Sequence, residues 1–215
     1  MSKIISINAD RTSIKMAIFD DFAIKDGQKT PLAEYRWEKD LNRATVKFGR
    51  YKHVHDVLFE SHTEAFKDGI NCFNAAKSFT DMKQIDAVVH RAVNGGELLQ
   101  STDPIEITTE VQKEFERNIN LAPNHNPPAL EVSEASQQMF TDAKHYYMFD
   151  TGWHSTMPII NQLYALPKKC FEGVKILLSD DTKKVSDEEY SHIPEVVIPA
   201  NEELAMAKAV MRIMK

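Results

Sequence analysis

Polar side chains and tight turns occur together at four places in the sequence, and these places are the candidates for chemistry. They cover residues 8–13, 90–96, 124–128 and 149–158. Each one follows a predicted strand or precedes a predicted helix. Backbone N–H groups and short polar side chains at such element ends can bind a phosphate or a carboxylate.

The first turn, NADRTS at residues 8–13, lies between two apolar runs that have the pattern of strands. Phosphate-binding turns at such a position are commonly lined with Gly and Ser, so the carboxylate of Asp10 is unusual. Two like charges about 4 Å apart repel by up to about 4 kcal/mol at an effective dielectric near 20. Three interpretations stay open, namely a phosphate site, an altered phosphate site and a plain hairpin.

Arg91 and Asp150 are the candidates for a charged pair with a catalytic role. The guanidinium of Arg91 is a planar fork that suits a carboxylate or a phosphate, and Gly95 and Gly96 would let a ligand approach the backbone. The alternative is a surface arginine beside a turn. Asp150, at the end of a predicted strand, could orient a nucleophile, hold a water, balance Arg91 or cap a turn.

Two histidine-containing stretches are weaker candidates. His125, in a proline-bounded loop, could bind an oxyanion or bond to the backbone. His154 and Ser155 invite a serine triad with Asp150, but all three lie within six residues and no nucleophile-elbow glycines surround Ser155. The sequence therefore disfavours a serine hydrolase.

Metal and thiol chemistry have little support in the sequence. The histidines His53, His55 and His62 lack a carboxylate or cysteine at ligand spacing close by, which favours a solvated strand edge. Cys72 and Cys170 are far apart, without a CxxC pattern, and are expected to be reduced buried thiols. The acids at 202–203 open a predicted helix, where they complement the helix dipole.

The elements that must position these residues follow from apolar periodicity. An antiparallel meander is expected first, then one or two helices over 54–79, then alternating strands and helices. Predicted strands cover 4–8, 13–20, 32–37, 45–51, 85–91, 145–150 and 195–200, and predicted helices cover 108–119, 129–140 and 201–215, the last capped by Asn201.

Bulk properties restrict the class of protein. A chain of 215 residues with 42% hydrophobic content can form one large or two small globular domains. The net charge of -6 and scattered basic residues argue against nucleic acid as a partner. No apolar run is long enough to span a bilayer and the start of the chain does not resemble a signal peptide, so we expect no membrane contact and a cytoplasmic location.

The four turns, in this order, resemble those of the acetate kinase family. The similarity is carried by IISINADRTSIK, IDAVVHRAVNGGE, LAPNHNPPALE, FDTGWHSTMPIINQLYALP and VIPANEELAMAK. These matches cover residues 3–167 and 194–210. The resemblance implies an α/β fold of the actin-like, sugar-kinase and heat-shock ATPase (ribonuclease H-like) type, with a mixed sheet flanked by helices.

The resemblance also implies roles for individual residues. Arg91 would steady the substrate carboxylate and the moving phosphoryl group, and Asp150 would orient the nucleophile. The residues implied in phosphate or substrate binding are Asn8, Arg11, Ser13, Val93 and His125, and those implied in holding Mg²⁺ are Asn8 and Glu202.

Several flanking positions depart from the family pattern. The turn loses a Gly and a Ser to Asp10 and Arg11, so that Arg11 either neutralises Asp10 or binds phosphate in its place. Other departures are Asn94, Asn124 and the pair Gly152-Trp153.

The resemblance predicts a layout in which one lobe of the family is missing. A substrate-side domain over 1–167 would be followed by a connector, 168–193, in place of the nucleotide lobe. A strand and helix over 194–215 would pack back on the first domain.

We therefore expect a protein similar to an acetate kinase, which transfers phosphoryl between ATP and acetate to give acetyl phosphate, but one that is inactive alone. The ligand would be acetate, another small carboxylate or acetyl phosphate. The alternatives are a non-catalytic binding module, or one half of a split kinase with a protein partner at the face left by the missing lobe. A fragment with no task of its own is a further alternative.

Overall fold

The fold was analysed in a computed structural model that describes residues 3–21, 30–154 and 202–214. Its described part contains one mixed sheet of eight strands in the order β5-β4-β3-β2-β1-β6-β8-β7. The strands are β1 Lys3–Asp10, β2 Ser13–Asp20, β3 Ala33–Glu38, β4 Arg43–Phe48, β5 Tyr51–Asp56, β6 Ile85–Ala92, β7 Ile105–Glu106 and β8 Lys144–Phe149. The α-helices are α1 His62–Ala75, α2 Thr109–Arg117, α3 Asn126–Met139, α4 Asp150–His154 and α5 Glu202–Ile213.

Strands β1 to β5 form the predicted antiparallel meander, with one strand more than expected. The prediction of helix from residue 54 was wrong, because β5 continues to Asp56 and α1 begins only at His62. Strand β5 is at the sheet edge and is mostly exposed, so it lacks the apolar alternation by which a strand is recognised. Gly49, at φ 55°, makes the turn that separates β4 from β5.

Strands β1, β6 and β8 are parallel neighbours, which brings their carboxyl ends to the same edge of the sheet. The register pairs Ile7 with His90 and Arg91 with Met148. Asn8, Arg91 and Asp150 are therefore carried to one edge by three adjacent strands.

Side-chain alternation also places these three residues on one face of the sheet. Ile4 of β1, Val89 of β6 and Tyr146 of β8 pack against α5 on that face. Asn8, Arg91 and Asp150 follow at even spacings along the same strands, so they face the α5 side. Helices α1 and α3 cover the opposite face, where the largest core cluster includes Ile5, Phe66 and Val132.

Two helices begin where their sequences allow it. The side chain of Thr108 accepts a hydrogen bond from the Val111 N–H and so caps α2 within the predicted range. Helix α3 begins at Asn126, three residues before the predicted start, because prolines are tolerated in the first turn of a helix. The predicted strand over 195–200, the Asn201 cap and the connector over 168–193 lie outside the described residues.

Among the helices of the described residues, none combines the length and the apolar character that crossing a membrane requires.

Candidate functional site

Arg91 and Asp150 form a two-pronged ion pair at the carboxyl edge of the sheet. The Nε of Arg91 donates to Oδ1 of Asp150 at 3.0 Å, and an Nη donates to Oδ2 at 2.7 Å. The two side chains are only 17% and 26% exposed, so the pair is partly shielded from solvent. Parallel hydrogen bonds of this kind fix the plane of the guanidinium as well as its position.

Asn8 and Glu202 complete the surroundings of Arg91. The amide nitrogen of Asn8 donates to Oε2 of Glu202 at 2.9 Å, which ties the end of β1 to the first residue of α5. The second Nη of Arg91 lies 3.5 Å from the amide oxygen of Asn8 and 3.8 Å from the Glu202 carboxylate. The fold thus brings three of the predicted site residues, Asn8, Arg91 and Glu202, close together.

The donor set beside Arg91 suits Mg²⁺ in its chemistry. Asp150 and Glu202 provide carboxylate oxygens and Asn8 provides an amide oxygen, the hard ligands that Mg²⁺ prefers. Two carboxylates around one guanidinium also leave the cluster with an excess of negative charge. The chemistry of these residues therefore fits a divalent cation.

Asp10 pairs with His125 in the turn after β1. Oδ1 of Asp10 lies 3.0 Å from Nδ1 of His125. The hydrogen bond to His125 is the main cause of a lowered pKa at Asp10, and the bond to Asp10 is the main cause of a raised pKa at His125. Each group thus favours the charged form of the other, and the positive field of Arg91 further favours ionised Asp10.

Arg11 does not provide the charge that balances Asp10. Its backbone N–H donates to the Asp10 carboxylate at 2.6 Å, but its side chain is exposed and makes no ion pair with the described residues. The charge partner of Asp10 is His125, while Nε2 of His62 donates to the Asp10 carbonyl at 2.6 Å. Ser13 pairs with Asp10 across the hairpin and is partly buried.

The loop after β6 is held by Asn126, which was not among the predicted site residues. The side-chain oxygen of Asn126 accepts hydrogen bonds from the N–H groups of Val93, at 3.3 Å, and Asn94, at 3.2 Å. Its amide nitrogen donates to the carbonyls of Asn94, at 2.9 Å, and Asn118, at 3.2 Å. Asn126 is fully buried, and its place in NHNPP was a signal, although His125 was the residue predicted to act in that stretch.

The same loop approaches α4 closely. Val93 contributes its carbonyl, which accepts from the N–H of Thr151 at 3.2 Å, so its contact is through the backbone. A Cβ on Gly95 would lie 2.4 Å from the carbonyl oxygen of Leu99, so this position requires glycine. The glycine pair therefore permits close packing of the loop beside the Arg91 pair.

The disfavoured serine triad falls largely outside the described part of the chain. His154 ends α4, but its side chain is not among the described ones, and Ser155 lies beyond them.

The predicted solvated strand edge is found at β5, which is mostly exposed, but His55 is only partly exposed and has a carboxylate and a cysteine nearby. Asp68 and Cys72 of α1 come within 4.8 Å of His55 through the fold, although they are distant in sequence. His62 instead contacts Asp10 in the turn after β1. Cys72 is a free cysteine, as predicted, and only partly buried, while Cys170 lies outside the described residues.

Comparisons with known proteins give one consistent answer. A profile of the acetokinase family matches residues 3–178. The acetate kinase of Coprothermobacter proteolyticus is 32% identical over 185 residues, which cover 81% of this chain and 43% of that protein. The chain thus spans less than half the length of the curated relatives that it matches.

Solved structures agree with this result. The crystal structure of Porphyromonas gingivalis acetate kinase matches with a TM-score of 0.66 and 28% identity, covering 80% of this chain and 43% of that one. A propionate kinase from Francisella tularensis matches with a TM-score of 0.64 and 25% identity, covering 80% and 42%.

These neighbours and the mixed sheet confirm the predicted actin-like α/β fold. The matched residues include the turn after β1, the Arg91 loop, the Asn126 helix and Asp150. This chain belongs to the acetokinase family.

Proposed function

We propose that the chain binds a small carboxylate and a phosphoryl group at Arg91 and takes part in phosphoryl transfer between ATP and acetate, giving acetyl phosphate. The observation that carries this proposal is the two-pronged Arg91–Asp150 pair beside Asn8 and Glu202. Phosphoryl transfer depends on positioned cations around the moving group more than on covalent chemistry by the protein.

The chemical roles follow from the direction of each donor. Asp150 uses the Nε edge of Arg91 and thereby fixes the plane of the guanidinium. An incoming anion would approach the other Nη, which faces Asn8. There the guanidinium would neutralise the acceptor carboxylate and then the charge that develops on the transferred phosphoryl group.

Glu202 and Asn8 would hold Mg²⁺, which neutralises nucleotide phosphate charge when bound. Asn8 now donates its amide nitrogen to Glu202, so its amide oxygen is directed toward Arg91. The Asn8–Glu202 contact keeps the end of β1 and the start of α5 together at the site.

The Asp10–His125 pair sets a condition on phosphate binding in the turn. Asp10 provides an anion to His125 where the side chains of a Gly- and Ser-lined turn would provide neutral donors. A phosphate would have to compete with this tethered carboxylate for His125, and two anions at that distance repel. We infer that the turn binds phosphate weakly while Asp10 is ionised.

We propose further that the isolated chain does not catalyse phosphoryl transfer. A nucleotide-binding partner polypeptide would form the opposite side of the active-site cleft. The supporting fact is that the match covers about 43% of the length of its relatives. Closing an active site around its substrates excludes water and holds the reacting groups in position, which one side of a cleft does not do alone.

The experiment is acetyl hydroxamate formation from acetate, ATP, Mg²⁺ and hydroxylamine. The purified chain alone should give none, and the chain added to a lysate of its source should give more than the lysate alone. The Arg91→Ala variant in the same lysate should give no gain, while Arg117→Ala, on the exposed face of α2, should behave as wild type. Turnover by the pure chain, or an equal gain from Arg91→Ala, would contradict the proposal.

A non-catalytic binding module is the second candidate, and the Asp10–His125 pair favours it. A site that keeps Arg91 but fills its phosphate turn with a carboxylate could recognise a small carboxylate without transferring phosphoryl. This candidate predicts acetate binding that depends on Arg91, no ATP binding and no hydroxamate under any of the conditions above.

A further inference from the structure

Three potential metal ligands of different chemistry meet at the edge of the sheet farthest from β7. They are His55 on the edge strand β5 and Asp68 and Cys72 on α1, and one ligand atom from each lies within 4.8 Å of the others. Asp68 and Cys72 are four residues apart and therefore project from the same face of the helix. His55 pairs with Ala44 in the register of β4 and β5, which directs it to the sheet face that α1 covers.

Asp68 is already oriented by its neighbours. Its Oδ2 accepts a hydrogen bond from the Tyr35 hydroxyl at 2.8 Å and lies 3.1 Å from Nε2 of His55. Tyr35 is fully buried, so its hydroxyl is a fixed donor beneath the carboxylate. Outer hydrogen bonds of this kind are a regular feature of metal sites, because they hold a ligand in place before the ion arrives.

The cluster is poorly explained as a hydrogen-bond network alone. Nδ1 of His55 is buried and has no hydrogen-bond partner among the described residues. Cys72 packs beside the core but offers only a weak donor and a weak acceptor. No hydrogen bond among the described residues therefore uses the Cys72 sulfur, and only one nitrogen of His55 faces Asp68.

The cluster has the partial exposure that an ion needs for entry. The side chains of His55 and Asp68 are 26% and 25% exposed, and Cys72 is also partly buried. One side of the cluster is thus open to water, which could provide a fourth ligand. Ligands of Zn²⁺ lie about 2.0–2.3 Å from the ion, so small side-chain rotations would bring these three onto it.

We propose that His55, Asp68 and Cys72 bind a divalent cation of the zinc class, with water at the open position. Imidazole nitrogen, carboxylate oxygen and cysteine sulfur together suit Zn²⁺, whereas Mg²⁺ and Ca²⁺ prefer oxygen ligands alone. Four strands of the sheet lie between β5 and β6, so this site is separate from the Arg91 pair. The proposal does not rest on the proposed function.

The thiol is expected to be inert until a cation reaches it. Burial, together with the negative charge of Asp68, raises the pKa of Cys72 to about 11. A protonated thiol is a poor nucleophile, which argues against a redox role for this cysteine. Coordination would release the proton to water as the sulfur binds the ion.

The test uses Co²⁺, whose bond to a thiolate gives a charge-transfer band in the near ultraviolet. The untagged full chain carries Cys170→Ser, so that Cys72 is its one remaining thiol. We expect a saturable band at one Co²⁺ per chain that added Zn²⁺ removes. Cys72→Ala should abolish the band, and His55→Ala should weaken Co²⁺ binding by tenfold or more.

Two further variants keep the result interpretable. His53→Ala is the matched control, because His53 stacks on His55 at 5.4 Å but is not part of the cluster, and this variant should bind as wild type. Tyr35→Phe removes only the bond that orients Asp68 and should weaken binding about tenfold. Far-ultraviolet circular dichroism verifies that each variant is folded. Absence of the band in the folded parent chain, or its persistence in Cys72→Ala, would overturn the proposal.

Discussion

Arg91 and Asp150 are joined by two parallel hydrogen bonds although 59 positions separate them in the chain. Their strands, β6 and β8, are adjacent and parallel, and Asp150 follows directly after β8. The pair therefore depends on the central sheet, and its geometry is as rigid as the strands that carry it. A cation held in this way is preorganised for an anion, because little of its freedom remains to be lost on binding.

Replacing Arg91 should lower stability as well as ligand binding. Arg91→Ala leaves the Asp150 carboxylate without its main partner, and we expect a loss of about 1–3 kcal/mol in the free energy of unfolding. Arg91→Lys keeps the charge but not the fork, so its loss should be smaller. Urea unfolding checks both variants.

Arg117→Ala, at a side chain that is 76% exposed, should change stability by less than about 0.5 kcal/mol. A loss no larger for Arg91→Ala than for this control would contradict the prediction.

Asn126→Asp should destabilise the loop after β6. The substitution keeps the shape of the side chain but replaces the amide nitrogen, which donates to the carbonyls of Asn94 and Asn118. Each buried group left unpaired costs about 1–3 kcal/mol, and the new carboxylate would also face two carbonyl oxygens. Thermal unfolding measures the effect. Asn124→Asp makes the same change at an exposed position and should be close to neutral, so equal losses from the two variants would argue against the role of Asn126.

The Asp10–His125 pair predicts a pH-dependent contribution to stability. The pKa of His125 is raised in the folded protein. Its contribution to stability is therefore fully present below its ordinary pKa of 6.5 and is lost as pH rises through the raised value. The pKa of Asp10 is lowered in the folded protein. Its contribution to stability is therefore present above its ordinary pKa of 3.8 and is lost as pH falls through the lowered value. The pair therefore contributes most between these two ordinary values.

Asp10→Asn should therefore lower the free energy of unfolding more in weak acid than in base. The side chains of His125 and Asp10 are 35% and 42% exposed, so solvent screening limits the cost to about 1 kcal/mol or less. Urea unfolding of both proteins at about pH 5.5 and about pH 9 gives the difference directly. An equal cost at the two pH values, or a larger one in base, would refute the pairing.

Two buried histidines should make the protein sensitive to acid. Burial lowers the pKa of His90 well below 6.5, and burial also lowers the pKa of His145. A group whose pKa is lower in the folded state binds its proton on unfolding, so stability falls as pH drops below about 6.5. Each such histidine can contribute a slope of up to about 1.4 kcal/mol per pH unit.

His145→Gln is the variant that tests this slope. Its amide can replace the bond to the Phe140 carbonyl, now 3.0 Å from Nε2 of His145, but it does not titrate. Stability of the variant between about pH 5 and pH 6.5 should therefore fall less steeply than that of wild type. If stability fell with pH as steeply in His145→Gln as in wild type, His145 would not be neutral in the folded protein.

Local patterns in the sequence were enough to predict the central elements. Strands β1, β2, β6 and β8 are apolar and regularly patterned, and the position of Asp150 after β8 followed from them. Strand β5 was missed because an exposed edge strand lacks that pattern. The two-residue strand β7 is too short to carry any periodic signal.

The contacts at the candidate sites depend on residues that are far apart in the chain. Asn126 reaches back to Val93 and Asn94, and Asp68 meets His55 only because α1 packs over the sheet. No spacing rule connects such residues, so their proximity required the fold. The pairing of Asp10 with His125 is of the same kind, since neither residue has a local feature that selects the other.

Binding of acetyl phosphate to the purified chain tests the central claim most directly, with saturation-transfer NMR on the acetyl methyl group as the readout. If Arg91 holds the ligand, acetyl phosphate should bind saturably to wild type and to Arg117→Ala, and at least tenfold more weakly to Arg91→Ala. Equal affinity in folded Arg91→Ala, or no binding by wild type, would contradict it.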